Sequence, residues 1–471
     1  MRYRLLAPFA AGLLASCAVG PDYERPQSAV AAEWLEPTTA GEVDGEWWAR
    51  FDDPVLTGLI ERALAGNPSL RQATARLAEA RALREAAQGG RSPQVTMTRS
   101  TTINRISENG QFPVANIPGF DPQFPLFDAG FDASWEIDLW GRTSRQVEQA
   151  LAMEEAAAWQ ERDAMVSLTA EIARGYVEFR LAEKALATAN VELEASEALA
   201  ELAAMLSEAG EATRIDAGQA VVERDTRQVA QRQAEADLAG SAYRLATLVG
   251  VAPEGLVPEL LASPGEIPSP PNEIASGIRS DLLERRPDIR AAERQLAAAT
   301  AGVGVATADL YPRLNLIGSI GLQAQSADDL LTGESLRYTA GPSFNWPIFS
   351  FGRIRAQIRA ADARADGAGA AYEAAIVKAL NESEAAANRF AASVASIETV
   401  RSALASQRDS YRLARMLFEK GETSRIDAAQ ARIRLAAIER QEAEARAGRT
   451  LAAIALYKAL GGGWQGSSAA D

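Results

Sequence analysis

From Arg142 onward the apolar residues recur at helical spacing. Met165, Leu168, Ile172, Tyr176 and Phe179 lie three or four positions apart, the seam of a coiled coil or helical bundle. The pattern predicts one helix from Arg142 to Ala209, about 68 residues and about 100 Å long, a tight turn at Gly210, and a second helix to Gly250. The same stretch is written twice. Gly141 to Gly250 and Gly352 to Gly461 keep a constant offset (352 − 141 and 461 − 250 both give 211). Gln146 matches Gln357, Val166 matches Val377, Glu171 matches Glu382, Phe179 matches Phe390, and Arg214-Ile215-Asp216 matches Arg425-Ile426-Asp427. The chain is an internal duplication of long helical hairpins, 142–249 and 353–460.

Ahead of each hairpin the period drops to two. From Phe127 to Leu139 the odd positions are apolar (Phe127, Ala129, Phe131, Ala133, Trp135, Ile137, Leu139), and the even ones are Asp128, Gly130, Asp132, Ser134, Glu136 and Asp138. Leu314, Leu316, Gly318, Ile320 and Leu322 alternate with Asn315, Ser319 and Gln323. Tyr338, Ala340, Phe344, Trp346 and Ile348 alternate with Thr339, Ser343 and Asn345. Val95 to Asn104 is a weaker case. Strands are predicted at about 94–105, 127–140, 313–324 and 336–349, with polar Gly/Pro-rich loops near 106–126 and 325–334.

Two readings of these strands stand open. One is a half-buried antiparallel sheet on a soluble core. The other is a set of membrane strands with apolar residues toward lipid and Asp128, Asp132, Glu136 and Asp138 toward a lumen. There the carboxylates would either favour cations or merely keep the wall wet. Each strand has roughly the 9–11 residues that a tilted membrane strand needs, and aromatic residues such as Trp135, Trp140, Phe344, Trp346 and Phe349 gather at strand ends. Four strands cannot close a barrel, since about eight is the minimum. Open edges are not tolerated in lipid, so the membrane reading requires several chains to share one barrel.

Asp53 is placed to cap a helix beginning at Pro54, with Leu56, Leu59, Ile60 and Leu64 on its apolar side. A second helix is predicted from Pro68 to about Ala87, ending at Gly89-Gly90. Its counterpart is Pro287 to Ala308, with Pro68/Pro287, Arg71/Arg290, Leu77/Leu296 and Pro93/Pro312 all separated by 219 (287 − 68). The resulting segments are a leader (1–16), an extended arm (17–53), repeat one (54–250), a Pro-rich linker without regular structure (251–273), repeat two (274–461) and a small polar tail expected to be disordered (462–471).

Arg2 and Arg4 ahead of the apolar run Leu5 to Ala15 form a secretory signal peptide. Its end, Leu14-Ala15-Ser16-Cys17, resembles the bacterial lipoprotein box, in which the cysteine becomes the acylated first residue. The alternative is an ordinary signal peptide with an incidental cysteine. Acylation explains why the exported chain carries a single Cys, and lipid chains on Cys17 would anchor it to a membrane.

Composition narrows the function classes. With no His and one Cys, neither a zinc site nor a His-based triad can be assembled, so no metal is expected. A net charge of −15 argues against nucleic-acid binding. No run of 18 apolar residues occurs, so no transmembrane helix is predicted. An enzyme would have to work through carboxylates alone, and the repeat symmetry offers no convergent cleft.

The most specific local signals are the two helical turns, Glu208 to Asp216 and Glu419 to Asp427. Gly210 and Gly421 suit a left-handed helix stop, and Thr213 and Ser424 suit the N-cap of the next helix. A well-made helical hairpin turn accounts for these four residues without further function. Arg214 and Arg425 are placed to bridge neighbouring hairpins through Asp216 and Asp427, or else are ordinary surface charges.

Three stretches carry a family resemblance: Cys17-Ala18-Val19-Gly20-Pro21-Asp22-Tyr23, Trp47-Trp48 with Phe51-Asp52-Asp53-Pro54-Val55-Leu56, and Leu282-Leu283-Glu284-Arg285-Arg286-Pro287-Asp288-Ile289-Arg290-Ala291-Ala292-Glu293. They resemble the NodT-type outer-membrane efflux lipoproteins of the TolC family. The resemblance implies a mainly α fold with a β-barrel contribution: a homotrimer with a twelve-stranded barrel in outer-membrane lipid and an α-helical periplasmic tunnel. It implies a passive exit duct of a tripartite pump, joined by a periplasmic adaptor to an inner-membrane transporter of the resistance-nodulation-division (RND) type. A type I secretion duct is the variant reading, and a non-conducting coiled-coil lipoprotein bridging the envelope is the competitor from another class. No cofactor is implied beyond the lipid on Cys17.

Carried over by position, Gly210, Glu211, Thr213, Gly421, Glu422 and Ser424 match the adaptor-contact turns, and Asp216 and Asp427 match acidic gate positions. Glu211 and Glu422 depart from the family's usual apolar residue, and Gln430 stands where a second gate acid is common. One test follows: Cys17→Ser abolishes incorporation of labelled fatty acid, and persistence of the label refutes the lipoprotein reading.

Overall fold

A computed structural model describes residues 18–27, 31, 33–36, 39, 41, 43–107 and 121–464. The leader, Cys17, most of the first strand loop and residues 465–471 lie outside them. Helices α1 (Pro54–Gly66) and α2 (Pro68–Gly89) precede strands β1 (Gln94–Arg105) and β2 (Gln123–Ile137) and the hairpin of α3 (Arg142–Glu208) and α4 (Arg214–Val249). Short helices α5 (Val257–Ala262) and α6 (Leu282–Arg285) lead to α7 (Pro287–Ala308), β3 (Arg313–Ala324), β4 (Leu336–Asn345) and the second hairpin, α8 (Arg353–Glu419) and α9 (Arg425–Ala459). Two compact units result, and their boundaries fall in the arm after Pro26 and inside α2, α3, α7 and α8. They therefore do not follow the repeats 54–250 and 274–461, because each unit takes a portion of both copies.

The unit that contains the strands holds one antiparallel sheet in the order β1-β2-β3-β4. Opposed residues share a face, so the register sorts the side chains. One face carries Thr96, Thr98, Ser100, Asp128, Asp132, Glu136, Ser319, Gln323, Arg337, Thr339 and Ser343. The other carries Val95, Met97, Phe131, Trp135, Leu316, Ile320, Tyr338 and Phe344. Those eight apolar side chains are all exposed. A half-buried sheet on a soluble core would cover them, so that reading fails for the described residues.

Two strand ends differ from expectation. β2 starts earlier than Phe127, because Gln123 to Leu126 pair with Thr102 to Arg105, and it stops at Ile137. β4 stops at Asn345 rather than at 349, since its partner β3 begins opposite Asn345 and Pro347 has no N–H to extend a ladder. The duplication reaches the side chains: Trp135 Nε1 donates to the Arg91 carbonyl at 2.8 Å, and Trp346 Nε1 donates to the Leu310 carbonyl at 3.0 Å.

The same unit holds the start of the arm. Val19 N–H donates to the Trp140 carbonyl, and the buried Arg145 guanidinium binds the Gly20 carbonyl and Asp22. Gly20 has a φ of +92°, and a Cβ there would lie 2.5 Å from the Gly304 Cα. Only glycine fits that approach.

In the other unit the core gathers around Trp47, which is fully buried and stacked on Tyr457 at 5.2 Å, with Trp48 and Phe51 edge-on to it. Leu56, Leu59 and Ile60 of α1, Leu245 and Val249 of α4, and Ile172, Tyr176 and Phe179 of the predicted seam join it. Asp53 caps α1 by accepting from Val55 and Leu56 N–H, and its second oxygen accepts from the Tyr176 hydroxyl at 2.9 Å.

Two further expectations are corrected in this unit. The linker 251–273 contains α5, because Leu256 and Leu260 repeat at helical spacing and both are buried. Residues 462–464 of the tail are packed: Trp464 Nε1 donates to the Arg285 carbonyl at 3.2 Å and its ring sits edge-on to Trp159. Trp47→Ala should therefore lower unfolding stability by about 3–5 kcal/mol, measured by denaturant titration of detergent-solubilised protein; a loss below about 1 kcal/mol would refute its central place in the core.

Candidate functional site: the hairpin turns and the polar sheet face

Each hairpin turn is built from backbone satisfaction outward. After Glu208, Gly210 takes a φ of +79° and the N–H of Glu211 donates back to the Leu206 carbonyl at 2.8 Å. After Glu419, Gly421 takes the same φ of +79° and Glu422 N–H donates to the Leu417 carbonyl at 2.9 Å. Both turns thereby satisfy carbonyls that a helix end leaves open.

Thr213 then caps α4 and Ser424 caps α9, each as a reciprocal capping box. The Thr213 hydroxyl accepts from Asp216 N–H at 3.1 Å, while Asp216 accepts from Thr213 N–H at 3.0 Å and from its hydroxyl at 2.7 Å. Ser424 and Asp427 repeat the arrangement at 3.1, 3.2 and 2.6 Å. Thr423 adds a second hydroxyl to Asp427 at 2.8 Å, a contact not foreseen from the sequence although the Thr-Ser pair signals it.

These bonds hold both carboxyls below the ordinary aspartate range. For Asp216 the cause is the Thr213 hydroxyl and then its backbone N–H; for Asp427 it is the hydroxyls of Ser424 and Thr423 and then the Ser424 N–H. A lowered folded pKa means the cap is fully present above the unfolded aspartate value of about 3.9. It is lost as the pH falls through the lower folded value.

Arg214 and Arg425 do not pair with these acids. Among the described residues neither makes an ion pair within the chain, and both are exposed, as are Glu211, Glu422 and Gln430. The carboxylates are occupied by the turns themselves, which explains why the guanidiniums are left to solvent.

On the sheet, Asp128, Asp132 and Glu136 lie on the polar face. Asp128 is held by Arg337, at 2.8 and 2.5 Å, and by Gln323 at 2.7 Å, so its charge is matched. Asp132 accepts from the Thr98 hydroxyl at 2.8 Å, and Glu136 lies 3.8 Å from Arg142. Arg337 was missed, although extending the alternation of β4 back one step from Tyr338 places it on the polar side. Asp138 is a correction. It lies beyond the strand and caps α3, accepting from Thr143 N–H at 3.0 Å and Ser144 N–H at 2.8 Å.

Comparison with known proteins follows the same duplication. The family model described as "Outer membrane efflux protein" matches residues 59–251 and 278–462, one match for each repeat. The chain belongs to the outer membrane efflux protein family. It is similar to the outer membrane protein OprJ of Pseudomonas aeruginosa, 32% identical over 462 residues that cover 96% of this chain and 94% of OprJ. Its fold is similar to the solved outer-membrane channel OprN, with a TM-score of 0.84 and 35% identity over 95% of this chain and 100% of that one. The CmeC outer membrane channel of Campylobacter jejuni, at 21% identity, shares the fold with a TM-score of 0.87 over 96% of each chain.

As a member of this family the protein is an outer-membrane efflux channel. Thr213→Ala with Ser424→Ala should speed amide exchange in the first turns of α4 and α9 on the order of fivefold with no change elsewhere. Hydrogen exchange read by mass spectrometry checks this, and acidifying the unsubstituted protein below the aspartate range should reproduce the same local effect.

Proposed function

We propose that the protein is the passive exit duct of a tripartite RND-type efflux pump, carrying small molecules from a periplasmic adaptor and an inner-membrane transporter to the exterior. Three copies supply twelve strands, four from each sheet, enough to close a barrel where one copy is not. The duct transforms nothing; energy comes from the transporter. Cys17 carries the lipid anchor. The observation that carries the reading is a four-stranded sheet with a bare apolar face in a chain that also bears two helical hairpins of about 100 Å. A relative 28% identical to this chain, the toluene efflux pump outer membrane protein TtgC of Pseudomonas putida, supports the pump assignment over a type I secretion duct. An envelope-bridging lipoprotein has no use for the apolar sheet face.

The two turns are the adaptor-contact sites. Gly210, Thr213, Gly421 and Ser424 fix their shape, and Glu211, Arg214, Glu422 and Arg425 offer exposed charge to a partner. Asp216 and Asp427 contribute to closure of the duct through the turn geometry they hold. Photo-cross-linkers placed at Glu211 and Glu422 should capture the adaptor; capture only from the loop between β3 and β4 would reverse the orientation. In planar bilayers, Asp216→Ala with Asp427→Ala should raise basal conductance severalfold, and unchanged conductance would remove these acids from the closing mechanism.

A further inference from the structure

The second hairpin carries a group of arginines beside the inter-repeat linker that the first hairpin lacks. Arg401 of α8 and Arg446 and Arg449 of α9 line one cavity of about 110 Å³, together with Ile397, Thr450 and linker residues 267–270. At the repeat offset of 211 the first hairpin has Asn190, Glu235, Leu238 and Ala239 in place of Arg401, Arg446, Arg449 and Thr450 (449 − 211, for example, gives 238). Matching helices therefore form without any of the three guanidiniums. Over these four positions the formal charge goes from −1 in the first copy to +3 in the second.

Arg449 is the unusual member of the group. Its side chain is buried, with the residue only 5% exposed. Nη2 donates to the Pro270 carbonyl at 3.0 Å, to the Pro271 carbonyl at 3.2 Å and to Asn272 Oδ1 at 2.7 Å. The Thr450 hydroxyl beside it donates to the Pro268 carbonyl at 2.6 Å. These bonds tie the linker to α9. They account for Nη2 alone, since the Arg449 Nε–H is buried with no acceptor.

Every acceptor of Arg449 is neutral, and among the described residues no carboxylate lies within ion-pair distance of it. A buried cation without a counter-charge is strongly unfavourable. Burial, and then the neighbouring Arg401 guanidinium, accordingly push Arg449 below the ordinary arginine range. Arg401 and Arg446 are better matched: Arg401 lies 3.0 Å from Glu398, and Arg446 binds Glu442 and lies 3.7 Å from Glu266. None of those three carboxylates lines the cavity, so its charged wall is cationic.

We propose that this cavity binds one small tetrahedral oxyanion, inorganic phosphate or sulfate, with Arg449 as the central counter-charge and Arg401 and Arg446 completing the shell. Arginine N–H groups match the oxygens of such anions in geometry as well as in charge. Size selects the class: a drug-sized ligand needs a pocket of roughly 300 Å³ or more, whereas a single ion here replaces a few waters of about 30 Å³ each. The bound anion joins α8 to α9 and, through Arg449, fastens the linker between the two repeats to the second hairpin.

The test is equilibrium dialysis of the full-length protein in detergent against radiolabelled inorganic phosphate, at an ionic strength held constant with sodium chloride. The unsubstituted protein should bind about one phosphate per chain. Arg449→Leu, the residue that the first repeat has at this place, should weaken binding at least about tenfold. Because Arg449 also holds the linker, Arg401→Gln with Arg446→Gln gives a second reading: it leaves every bond of Arg449 in place and should also weaken binding at least about tenfold. Unchanged affinity in either variant, or no saturable binding to the unsubstituted protein, leaves an adventitious ion only and overturns the site. Unlabelled sulfate should displace the label; displacement by the same concentration of added chloride overturns the oxyanion assignment. Phosphate should also slow amide exchange severalfold in residues 267–273 of the unsubstituted protein and not in the double variant, and no slowing overturns the fastening of the linker.

Discussion

Backbone N–H and C=O groups at a sheet edge have no water to bind in the hydrocarbon of a membrane. Each unpaired group there carries a penalty of several kcal/mol. The free edges of β1 and β4, and the inverted burial of the sheet between them, are intelligible only under that constraint. In a water-soluble fold the apolar face carrying Val95, Phe131, Ile320 and Phe344 would be the core. Here it is bare, and the ordered polar contacts, Asp128 with Arg337 and Asp132 with Thr98, lie on the opposite side. The chain's own dry core forms instead where Trp47 stacks on Tyr457.

Duplication is the economical answer to that constraint. A sheet of two strand pairs from two equivalent repeats defines a repeating junction, and a repeating junction closes into a ring when copies are added. Equivalence extends to the indoles at the strand bases, where Trp135 and Trp346 donate to the carbonyls of Arg91 and Leu310. It extends also to the hairpin tips, where Thr213 with Asp216 and Ser424 with Asp427 form matching capping boxes. It is broken where individual chemistry is needed: Thr423 gives one tip an extra hydroxyl, and Arg337 gives one strand a guanidinium.

The tips illustrate how a local requirement and a functional one can occupy the same side chain. An aspartate three residues after a Thr or Ser cap is first a helix-capping group, because the orphan N–H groups at a helix start need acceptors. Its charge is largely directed into its own turn. What the tips present outward is the charge that capping does not consume, chiefly Glu211, Glu422, Arg214 and Arg425.

Much of this was legible in the sequence. The duplication, the two periods, the turn glycines and their caps are local properties: a 3.6- or 2-residue repeat and a Gly-x-x-Ser/Thr-x-x-Asp spacing fix conformation over a few residues whatever lies beyond. Less legible were the endings. Asp138 alternates correctly as an inward strand residue, yet it caps α3, because the N–H groups of Thr143 and Ser144 compete for it. The linker helix at Val257–Ala262 and the packed Trp464 were missed because both depend on apolar surface supplied by distant segments. The sequence by itself determined the long helices, the four strands and the fact that they form twice. Only the tertiary structure decided the register between strands, the acceptor each carboxylate finds, and the side of the sheet left bare, because those depend on residues brought together across hundreds of positions.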